Sequence, residues 1–480
     1  MIAKIVVLSI YALIIIVVGI MGLKKTKSFS DFFLGGGNVG PWMSAFSYGA
    51  AYFSAVLFIG FAGNIGWNFG FSGIWIGVAN GLIGVLAVWA IIGWKTKKMT
   101  LEYGVSTMSE YLEKRYNSRY FKLLASLVIF VFMIPYSAAV FMGLSYLFTA
   151  TFGIEYWLAL TFMGVFTALY LVLGGYKSGA MLDMIFGIIM TIGVIILVIS
   201  TLSTAGGLAN ITAKLNEINP GLTSPVGPPG KLWPLLSLVI LTSFAPFAMP
   251  QLIQKFYAIK DRKSIRIGMI ASTVFSLLIG IVAYFVGSTT RVLMNPTVAP
   301  NAFKDGKPII DRLMPEMLTN VIPDSLSVVI LLLILSASMS TLAALVLISS
   351  SSFAKDVYAG FINKKVSDKN LTMMMRFLSA FFVLVSVLLA YQNIDSIVAI
   401  LGISWGAIGS FFLGPFVWGL YSKRVNRFGA YSASIIALTV CIVLYVSGMP
   451  SPQAGTIGMI TSLVINPVFS LFCKSKTLNV

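Results

Sequence analysis

The sequence predicts an all-α polytopic membrane protein with about 13 transmembrane helices. Of its 480 residues, 58% are hydrophobic and only 10% are charged, and the mean hydropathy is +0.94. Soluble globular proteins carry about 25% charged residues, so the surface of this chain must face lipid. Apolar stretches of about 20 residues recur along the whole length, and no polar stretch between them is long enough to form a second domain. We therefore interpret residues 1–480 as a single transmembrane domain.

The charged and rare residue types argue against several classes of protein. The net charge is +18, but the basic residues lie in short segments between apolar stretches, which does not favour nucleic-acid binding. Histidine is absent, and the two cysteines, Cys441 and Cys473, are isolated. A disulfide framework, a metal cluster and a nucleophile–base pair are therefore not indicated. We expect no enzyme activity and no cofactor other than a coupling ion.

The apolar segments give the predicted helices, to within about 2–4 residues at each end. The first follows Met1 directly, and its basic cluster (Lys24, Lys25 and Lys27) comes after it. This order favours an uncleaved helix over a signal peptide. The predicted helices are 2–22, 41–65, 72–94, 119–151, 156–174, 178–205, 232–256, 266–290, 323–356, 371–391, 394–421, 426–447 and 455–473.

The basic residues predict the orientation of these helices. Lysine and arginine concentrate in cytoplasmic loops. With the N-terminus outside, the cytoplasmic side holds 26 of the 33 basic residues. We therefore expect a cytoplasmic C-terminus and residence in the plasma membrane, as in a bacterial inner membrane. Two outer loops, Gly206 to Lys231 and Val292 to Ile322, are either lids or ordinary connections, and Met108 to Tyr116 reads as an amphipathic interfacial helix.

Two predicted helices are interrupted near their centres. The second contains Gly49, two alanines and Ser54, and the seventh contains Pro246 and Pro250, each of which removes a backbone donor. Each interrupted helix opens a block of five, about 41–205 and about 232–421, with extra helices at 2–22 and about 426–473. An odd number of spans per block predicts an inverted repeat with the binding site at the breaks. The alternative is that these residues only kink the helices.

The ninth helix carries a candidate cation site. Ala337, Ser340 and Thr341 are spaced i, i+3, i+4 and share one face. A sodium ion, like other hard cations, prefers about five or six oxygen ligands. Two hydroxyls, the Ala337 carbonyl and two carbonyls from the second helix would supply five. The alternative is that these hydroxyls bond within their own helix or allow close packing.

Asp183 is the acidic residue placed well inside a predicted span. Intramembrane acids are costly and usually functional. We expect Asp183 to line the ion path or to take up a proton. A purely structural carboxylate that ties helices together is the other interpretation.

Six motifs in this order resemble the sodium/solute symporter family over nearly the whole chain. The resemblance implies a LeuT-like fold and one sodium ion, held by backbone oxygens of Ala50, Phe53 and Ala337 and by the hydroxyls of Ser340 and Thr341. It implies a solute site near Tyr52, Ser54, Tyr136, Thr242, Phe244, Phe247 and Trp405. The motifs are SFSDFFLGGGNVGP (Ser28 to Pro41), AAYFSAV (Ala50 to Val56), GGYKSGAMLD (Gly174 to Asp183), MPQLIQKFYAIKD (Met249 to Asp261), SASMST (Ser336 to Thr341) and GISWGAIGSFFLGP (Gly402 to Pro415).

Departures from the family pattern refine these expectations. Tyr52 stands where the proline-transporting branch has an acid, so proline is not favoured. Ala343 and Ala344 replace the hydroxyls of members with a second sodium site, which favours a single sodium ion. Gly37 replaces an arginine of the first inner loop, which predicts a looser inner gate.

The function expected from the sequence is sodium-coupled symport of a small solute by alternating access. The solute would be an organic acid, amino acid, sugar or vitamin, and the chain would act as a monomer in the lipid bilayer. One alternative is proton-coupled symport through Asp183. A channel is less favoured, since no filter motif is visible in the sequence.

Overall fold

A computed structural model describes residues 2–25, 29–173, 176–320 and 322–472 of the chain. Ser28, Gly174 and Cys473, named above, lie outside these ranges. The helices of the described part are α1 (Ile2–Lys25), α2 (Phe29–Leu34), α3 (Pro41–Tyr52), α4 (Ala62–Phe69), α5 (Ile74–Ala79), α6 (Trp94–Tyr103), α7 (Met108–Tyr116), α8 (Arg119–Phe152), α9 (Tyr156–Leu173), α10 (Tyr176–Thr204), α11 (Gly207–Ile218), α12 (Leu232–Phe244), α13 (Pro250–Ala258), α14 (Arg262–Leu293), α15 (Ile310–Asn320), α16 (Asp324–Ser351), α17 (Asp368–Gln392), α18 (Ile397–Tyr421), α19 (Arg427–Val446) and α20 (Ser451–Phe472).

Every apolar segment predicted to cross the membrane coincides with a helix or with consecutive helical pieces. Within the described ranges, 11 helical segments are long and apolar enough to span a bilayer. The remaining regular structure is short. It comprises π-helical stretches at Val56–Phe61, Asn80–Ala87, Trp89–Gly93 and Ser352–Ile362, 3₁₀ turns at Gly35–Gly37, Gly70–Gly73, Pro220–Leu222, Ala245–Phe247 and Pro300–Ala302, and strands β1 (Phe303–Lys304) and β2 (Lys307–Pro308), which pair antiparallel.

Both predicted interruptions are confirmed. Helix α3 ends at Tyr52, because Phe53 is extended (φ −108°, ψ 120°), and the chain turns helical again from Ala55. Helix α12 ends at Phe244, and the extended Met249 (φ −81°, ψ 114°) precedes α13. Pro250 fits the first turn of α13 because its missing N–H would have no helical acceptor there.

Close helix contact near the first break depends on glycine. A Cβ atom built on Gly66 of α4 would lie 2.0 Å from the carbonyl carbon of Gly287 in α14. Small residues let helix backbones approach closely in membranes, where no hydrophobic effect drives association. Helix α4, which forms the second half of the first interrupted helix, therefore packs backbone to backbone on α14.

The amphipathic segment Met108 to Tyr116 forms helix α7, most of which is buried against other helices. Glu110 pairs with Lys355 at 2.8 Å, and Arg115 donates to the carbonyls of Gly419 (2.9 Å) and Ser422 (2.7 Å) near the end of α18. Burial raises the pKa of the Glu110 carboxyl, but the ammonium groups of Lys355 and Lys122 outweigh burial and hold that pKa below its usual value. Helix α7 is thereby fixed to α8, to the π-helical stretch Ser352–Ile362 and to α18.

The two long loops that the sequence predicts to lie outside contain helices of their own. The first contains α11, and the second contains the β1–β2 hairpin and α15. Helix α15 packs on α4 and α8, and its Asp311 accepts a hydrogen bond from the backbone N–H of Ile397, at the start of α18 (3.0 Å). The second loop therefore packs on α4, the second half of the first interrupted helix.

Candidate functional site

The break after Tyr52 frees backbone carbonyls from their helical donors. The N–H of Ala55 donates to the Ser338 hydroxyl (3.0 Å), and the N–H of Val56 donates to the Ser54 hydroxyl (3.2 Å). In an uninterrupted helix these N–H groups would instead reach the carbonyls four residues earlier, at Ala51 and Tyr52. Such carbonyls need another partner at this depth in a membrane.

Helix α16 brings hydroxyls to these carbonyls. The Thr341 hydroxyl lies 3.2 Å from the carbonyl oxygen of Ala50, 3.4 Å from that of Ala51 and 3.1 Å from that of Ala337. One hydroxyl proton cannot serve three acceptors at once, so at least two of these oxygens remain available. Three of the five residues named for sodium from the sequence therefore meet within hydrogen-bonding distance.

Ser340 and Phe53 complete the predicted set. The Ser340 hydroxyl is buried and interacts with the Asp183 carboxylate without reaching hydrogen-bonding geometry. Phe53 is the extended residue at the break, where its carbonyl is not directed along a helix axis. Ser340 therefore adds a buried neutral oxygen on the same helix as Thr341, and neutral oxygens of this kind are ligands that hard cations prefer.

Asp183 has a partner that sequence reasoning missed. Lys255 of α13 is 4% exposed, and its ammonium nitrogen lies 3.8 Å from the Asp183 carboxylate. The Ser47 hydroxyl bridges them, donating to Asp183 (2.5 Å) and accepting from Lys255 (2.8 Å). Lys255 falls inside the predicted seventh helix, so a basic residue within an apolar span was the available signal.

A small cavity lies between the Asp183–Lys255 pair and α16. Its volume is about 50 Å³, and Ser340, Asp183 and Lys255 all line it. Tyr170, Tyr176 and Ser379 also contribute. Because Ser340 is one of the five residues named for sodium from the sequence, the cavity adjoins the candidate cation site.

A second cavity, the central cavity, lies at the two breaks. It has a volume of about 30 Å³, and it brings together five of the solute residues predicted from the sequence, namely Tyr52, Ser54, Tyr136, Thr242 and Trp405. Phe53 also lines it. The Tyr52 ring stacks on the Trp405 indole at 5.9 Å and 14°, and its hydroxyl donates to the Thr242 carbonyl (2.6 Å). Tyr52 therefore connects both interrupted helices to α18.

Phe244 and Phe247 are not brought into the lining of the central cavity. Their rings stack on each other at 6.2 Å, because the 3₁₀ turn Ala245–Phe247 redirects the chain between them. Conversely, Asn80 and Tyr284 line the cavity although sequence reasoning did not select them. A polar amide within the third apolar span was the signal that could have identified Asn80.

Gly37 lies beside a lysine from a different helix. Lys97 of α6 is buried, and its ammonium group donates to the carbonyls of Gly37 (3.3 Å) and Tyr257 (3.2 Å). A Cβ atom on Gly37 would lie 3.9 Å from the Lys97 nitrogen. Lys97 therefore places a positive charge beside Gly37, and the looser gate expected from Gly37 stays a prediction.

Comparison with known proteins identifies the family. The sequence model of the sodium:solute symporter family matches residues 32–437. The chain belongs to the sodium:solute symporter family. It is a multi-pass membrane transporter that couples solute transport to sodium, and it is not an enzyme.

Bacterial transporters are among the relatives of this symporter. It is 29% identical to the sodium/pantothenate symporter of Haemophilus influenzae, covering 88% of this chain and 86% of the relative. It is 27% identical to the osmoregulated proline transporter OpuE of Bacillus subtilis, covering 97% and 94%. These bacterial relatives imply that the symporter resides in a cell membrane.

Solved structures confirm the expected LeuT-like fold. A Na⁺-coupled sialic acid symporter in a substrate-bound outward-open state superposes with a TM-score of 0.84 at 19% identity, covering 99% of both chains. MhsT in complex with L-phenylalanine superposes with a TM-score of 0.53 at 14% identity, covering 89% of this chain and 97% of MhsT. At these identities the likeness shows the fold alone.

Proposed function

We propose that the symporter binds one sodium ion at the break after Tyr52, between α3 and α16. Its ligands are the carbonyl oxygens of Ala50, Phe53 and Ala337 and the hydroxyls of Ser340 and Thr341. The observation that carries this proposal is the Thr341 hydroxyl, which lies within 3.4 Å of carbonyls from both helices. None of these five side chains is charged, so the ion is held by neutral oxygens and released readily.

One sodium ion accompanies each solute in this proposal. Ala343 and Ala344 lie one turn further along α16, where methyl groups offer no oxygen ligand. A single sodium ion then couples to a single solute by stabilising the arrangement of α3 and α16 that also forms the central cavity. A coupling free energy of about 1–3 kcal/mol between the two sites is sufficient.

The path of the sodium ion leads inward past Asp183. The cavity that Ser340 shares with Asp183 and Lys255 supports this route. The Asp183 carboxylate lies 3.8 Å from the Lys255 ammonium group, so the two side chains form an ion pair beside this route. Proton-coupled symport through Asp183 remains the competing hypothesis in the test below.

The solute site proposed here is the central cavity. Its support is that five of the predicted residues line a single cavity, namely Tyr52, Ser54, Tyr136, Thr242 and Trp405. Phe244 and Phe247 do not line this cavity. The relatives are named for pantothenate and proline. Because these two solutes differ, the relatives leave the solute of this chain open.

The symporter is proposed to act as a monomer with its N-terminus outside and its C-terminus in the cytoplasm. The orientation rests on the placement of 26 of the 33 basic residues on one side. The monomer is supported by the composition of both sites, since residues of one chain supply all of the ligands proposed above.

Thermal unfolding of the purified protein in matched sodium and potassium chloride tests the sodium site. A ligand at about 100 times its dissociation constant stabilises the folded state by about 2.7 kcal/mol. We expect sodium to raise the melting temperature of the wild type and of Ser386→Ala, whose buried hydroxyl bonds only within α17. We expect no sodium shift for Ser340→Ala.

Uptake into proteoliposomes separates the two coupling ions. Sodium coupling predicts uptake of the solute under an inward sodium gradient and not under an inward proton gradient. Equal uptake in potassium and sodium, abolished by Asp183→Asn, would establish proton coupling instead and remove the sodium site from the mechanism.

A further inference from the structure

The central cavity contains a buried hydrogen-bond donor without an acceptor. Trp405 is 3% exposed, and its indole Nε1–H has no hydrogen-bond partner among residues 2–25, 29–173, 176–320 and 322–472. Tyr136 meets the Trp405 ring edge-on at 5.8 Å, and its hydroxyl interacts with the indole without reaching hydrogen-bonding geometry. A buried donor left unsatisfied costs about 1–3 kcal/mol, so this N–H is poised for a ligand.

Asn80 lines the same cavity and carries a second donor group, its side-chain NH₂. Its amide oxygen accepts from the hydroxyls of Thr242 (2.9 Å) and Ser243 (3.0 Å). The buried Ser243 hydroxyl has no other acceptor in the described part of the chain, which fixes the amide with its oxygen toward Ser243. The Asn80 NH₂ group is then left with two donors and no acceptor among the described residues.

Two carbonyl groups at the helix breaks already have hydrogen-bond partners. The Thr242 carbonyl accepts from Tyr52, and the Ala50 carbonyl faces Thr341 and the proposed sodium site. The cavity lining includes no acidic or basic side chain. An ammonium group placed here would find no carboxylate, and burying an unpaired charge is strongly unfavourable.

The charge of the coupled sodium ion favours an anionic solute. A sodium ion bound by neutral oxygens leaves one uncompensated positive charge beside the cavity, since Ala50 and Tyr52 belong to the same turn of α3. A monovalent anion in the cavity neutralises this charge in a region of low dielectric constant.

We propose that the solute is a monocarboxylate without an amino group, and that its oxygens accept hydrogen bonds from Asn80 Nδ2 and Trp405 Nε1. This inference rests on the proposed sodium-coupled symport through the central cavity. Asn80 and Trp405 are then the residues that distinguish a carboxylate from a zwitterion of the same length.

Matched solutes test the inference. The melting temperature of the detergent-purified protein is measured in sodium and in potassium chloride with straight-chain monocarboxylates and with the amides, amines and α-amino acids of equal chain length. We expect a monocarboxylate to stabilise the protein in sodium only, the amide to stabilise it more weakly, and the amine and the amino acid to have no effect. The inference is overturned if no monocarboxylate acts in sodium, or if the amino acid acts as strongly as the carboxylate.

Two variants and a control variant test whether Asn80 and Trp405 donate the hydrogen bonds to the carboxylate. Trp405→Phe removes the N–H and keeps an aromatic ring, and Asn80→Asp replaces the NH₂ group with a negative charge. We expect each to weaken carboxylate binding at least about tenfold while the sodium shift measured without solute persists. Trp418→Phe removes an indole N–H on the same helix that bonds to the Leu463 carbonyl outside the cavity (2.8 Å), and it should bind the carboxylate like the wild type.

The failures of the two proposals are distinguishable. If sodium alone gives a shift that Ser340→Ala abolishes, but the stabilising solute is a zwitterion or an amine, the symport proposal stands and this inference falls. Unchanged carboxylate binding in both Trp405→Phe and Asn80→Asp also overturns the inference. If sodium has no effect alone or with any solute, the symport proposal fails first.

Discussion

The Thr341 hydroxyl lies 3.2 Å from the carbonyl oxygen of Ala50 and thereby joins α16 to the first interrupted helix. The same hydroxyl also lies 3.1 Å from the Ala337 carbonyl of its own helix. A cation bound at this point would be coordinated by oxygens of both helices at once. The relative position of α3 and α16 is therefore sensitive to the occupancy of this site.

Thr341→Ala removes one of the five proposed sodium oxygens. We expect sodium-dependent uptake to be lost or to require at least about tenfold more sodium, equivalent to about 1.4 kcal/mol. Thr341→Ser keeps the hydroxyl and should retain sodium dependence. Uptake measured against sodium concentration in proteoliposomes checks this, and unchanged sodium dependence in Thr341→Ala contradicts the site.

Replacing one member of the Asp183–Lys255 pair leaves the other charge buried without its partner. Such a change typically costs about 3–5 kcal/mol, whereas replacing both by apolar residues of similar size is often neutral. We expect Asp183→Asn to lower the melting temperature strongly and Asp183→Leu combined with Lys255→Met to restore it. Sodium-driven uptake should stay impaired in the double variant if the pair lines the ion path, and full recovery of uptake would show that its role is only structural.

Lys97→Met should weaken the contact between the turn Gly35–Gly37 and the end of α13. It removes the hydrogen bonds to the Gly37 and Tyr257 carbonyls, and bonds from charged groups contribute about 1.5–3 kcal/mol. We expect a lower melting temperature and faster proteolysis near residue 37 from the inner side. The neighbouring exposed pair offers the control, because Lys98→Met removes only a salt bridge to Glu102 and should change neither measurement.

Gly66→Ala tests the backbone contact between α4 and α14. The added methyl would lie 2.0 Å from backbone atoms of Gly287, which cannot move aside as a flexible side chain can. We expect the melting temperature and the yield of folded protein to fall sharply. Gly40→Ala, where an added Cβ meets nothing within 4 Å, should fold like the wild type.

The pH dependence of stability should reveal Asp311 in the second long loop. Burial raises the pKa of the Asp311 carboxyl to about 6, against about 3.9 in an unfolded chain. The folded state therefore binds this proton more tightly. The stabilising contribution is complete below about pH 4 and is lost as the pH rises through about 6.

Asp311→Asn isolates this contribution. The amide oxygen can still accept from the Ile397 N–H, and no charge is buried at high pH. We expect the variant to exceed the wild type in melting temperature at pH 8 by more than at pH 5. Asp305→Asn, at an exposed turn position, is the control and should show no such change with pH. A constant difference between Asp311→Asn and wild type across this range would refute the assignment.

Local patterns accounted for the features that depend on neighbours along the chain. Pro250 and the small residues around Ser54 predicted the two breaks because backbone hydrogen bonding in a helix is decided within four residues. The i, i+3, i+4 spacing of Ala337, Ser340 and Thr341 placed them on one face for the same reason. The family resemblance then named Ala50 and Phe53 as their partners.

Local sequence patterns do not predict contacts between residues that are far apart in the chain. Lys255 lies within the predicted seventh helix, and the sequence does not reveal that it pairs with Asp183 on another helix. Asn80 was passed over as one amide in an apolar span, yet it bonds to Thr242 and Ser243. Gly37 suggested a missing cation, and the sequence does not reveal that Lys97 of α6 lies beside it.

The sequence by itself determined the class of this protein, its membrane spans, the two helix breaks and the hydroxyl face of α16. These follow from hydropathy and from hydrogen bonding over a few residues. Only the tertiary structure decided which buried polar groups meet, because the partner of a polar group in a membrane is selected by the packing angles and rotations of whole helices. Asn80 and Trp405 line one cavity for that reason, although they are 325 positions apart in the chain.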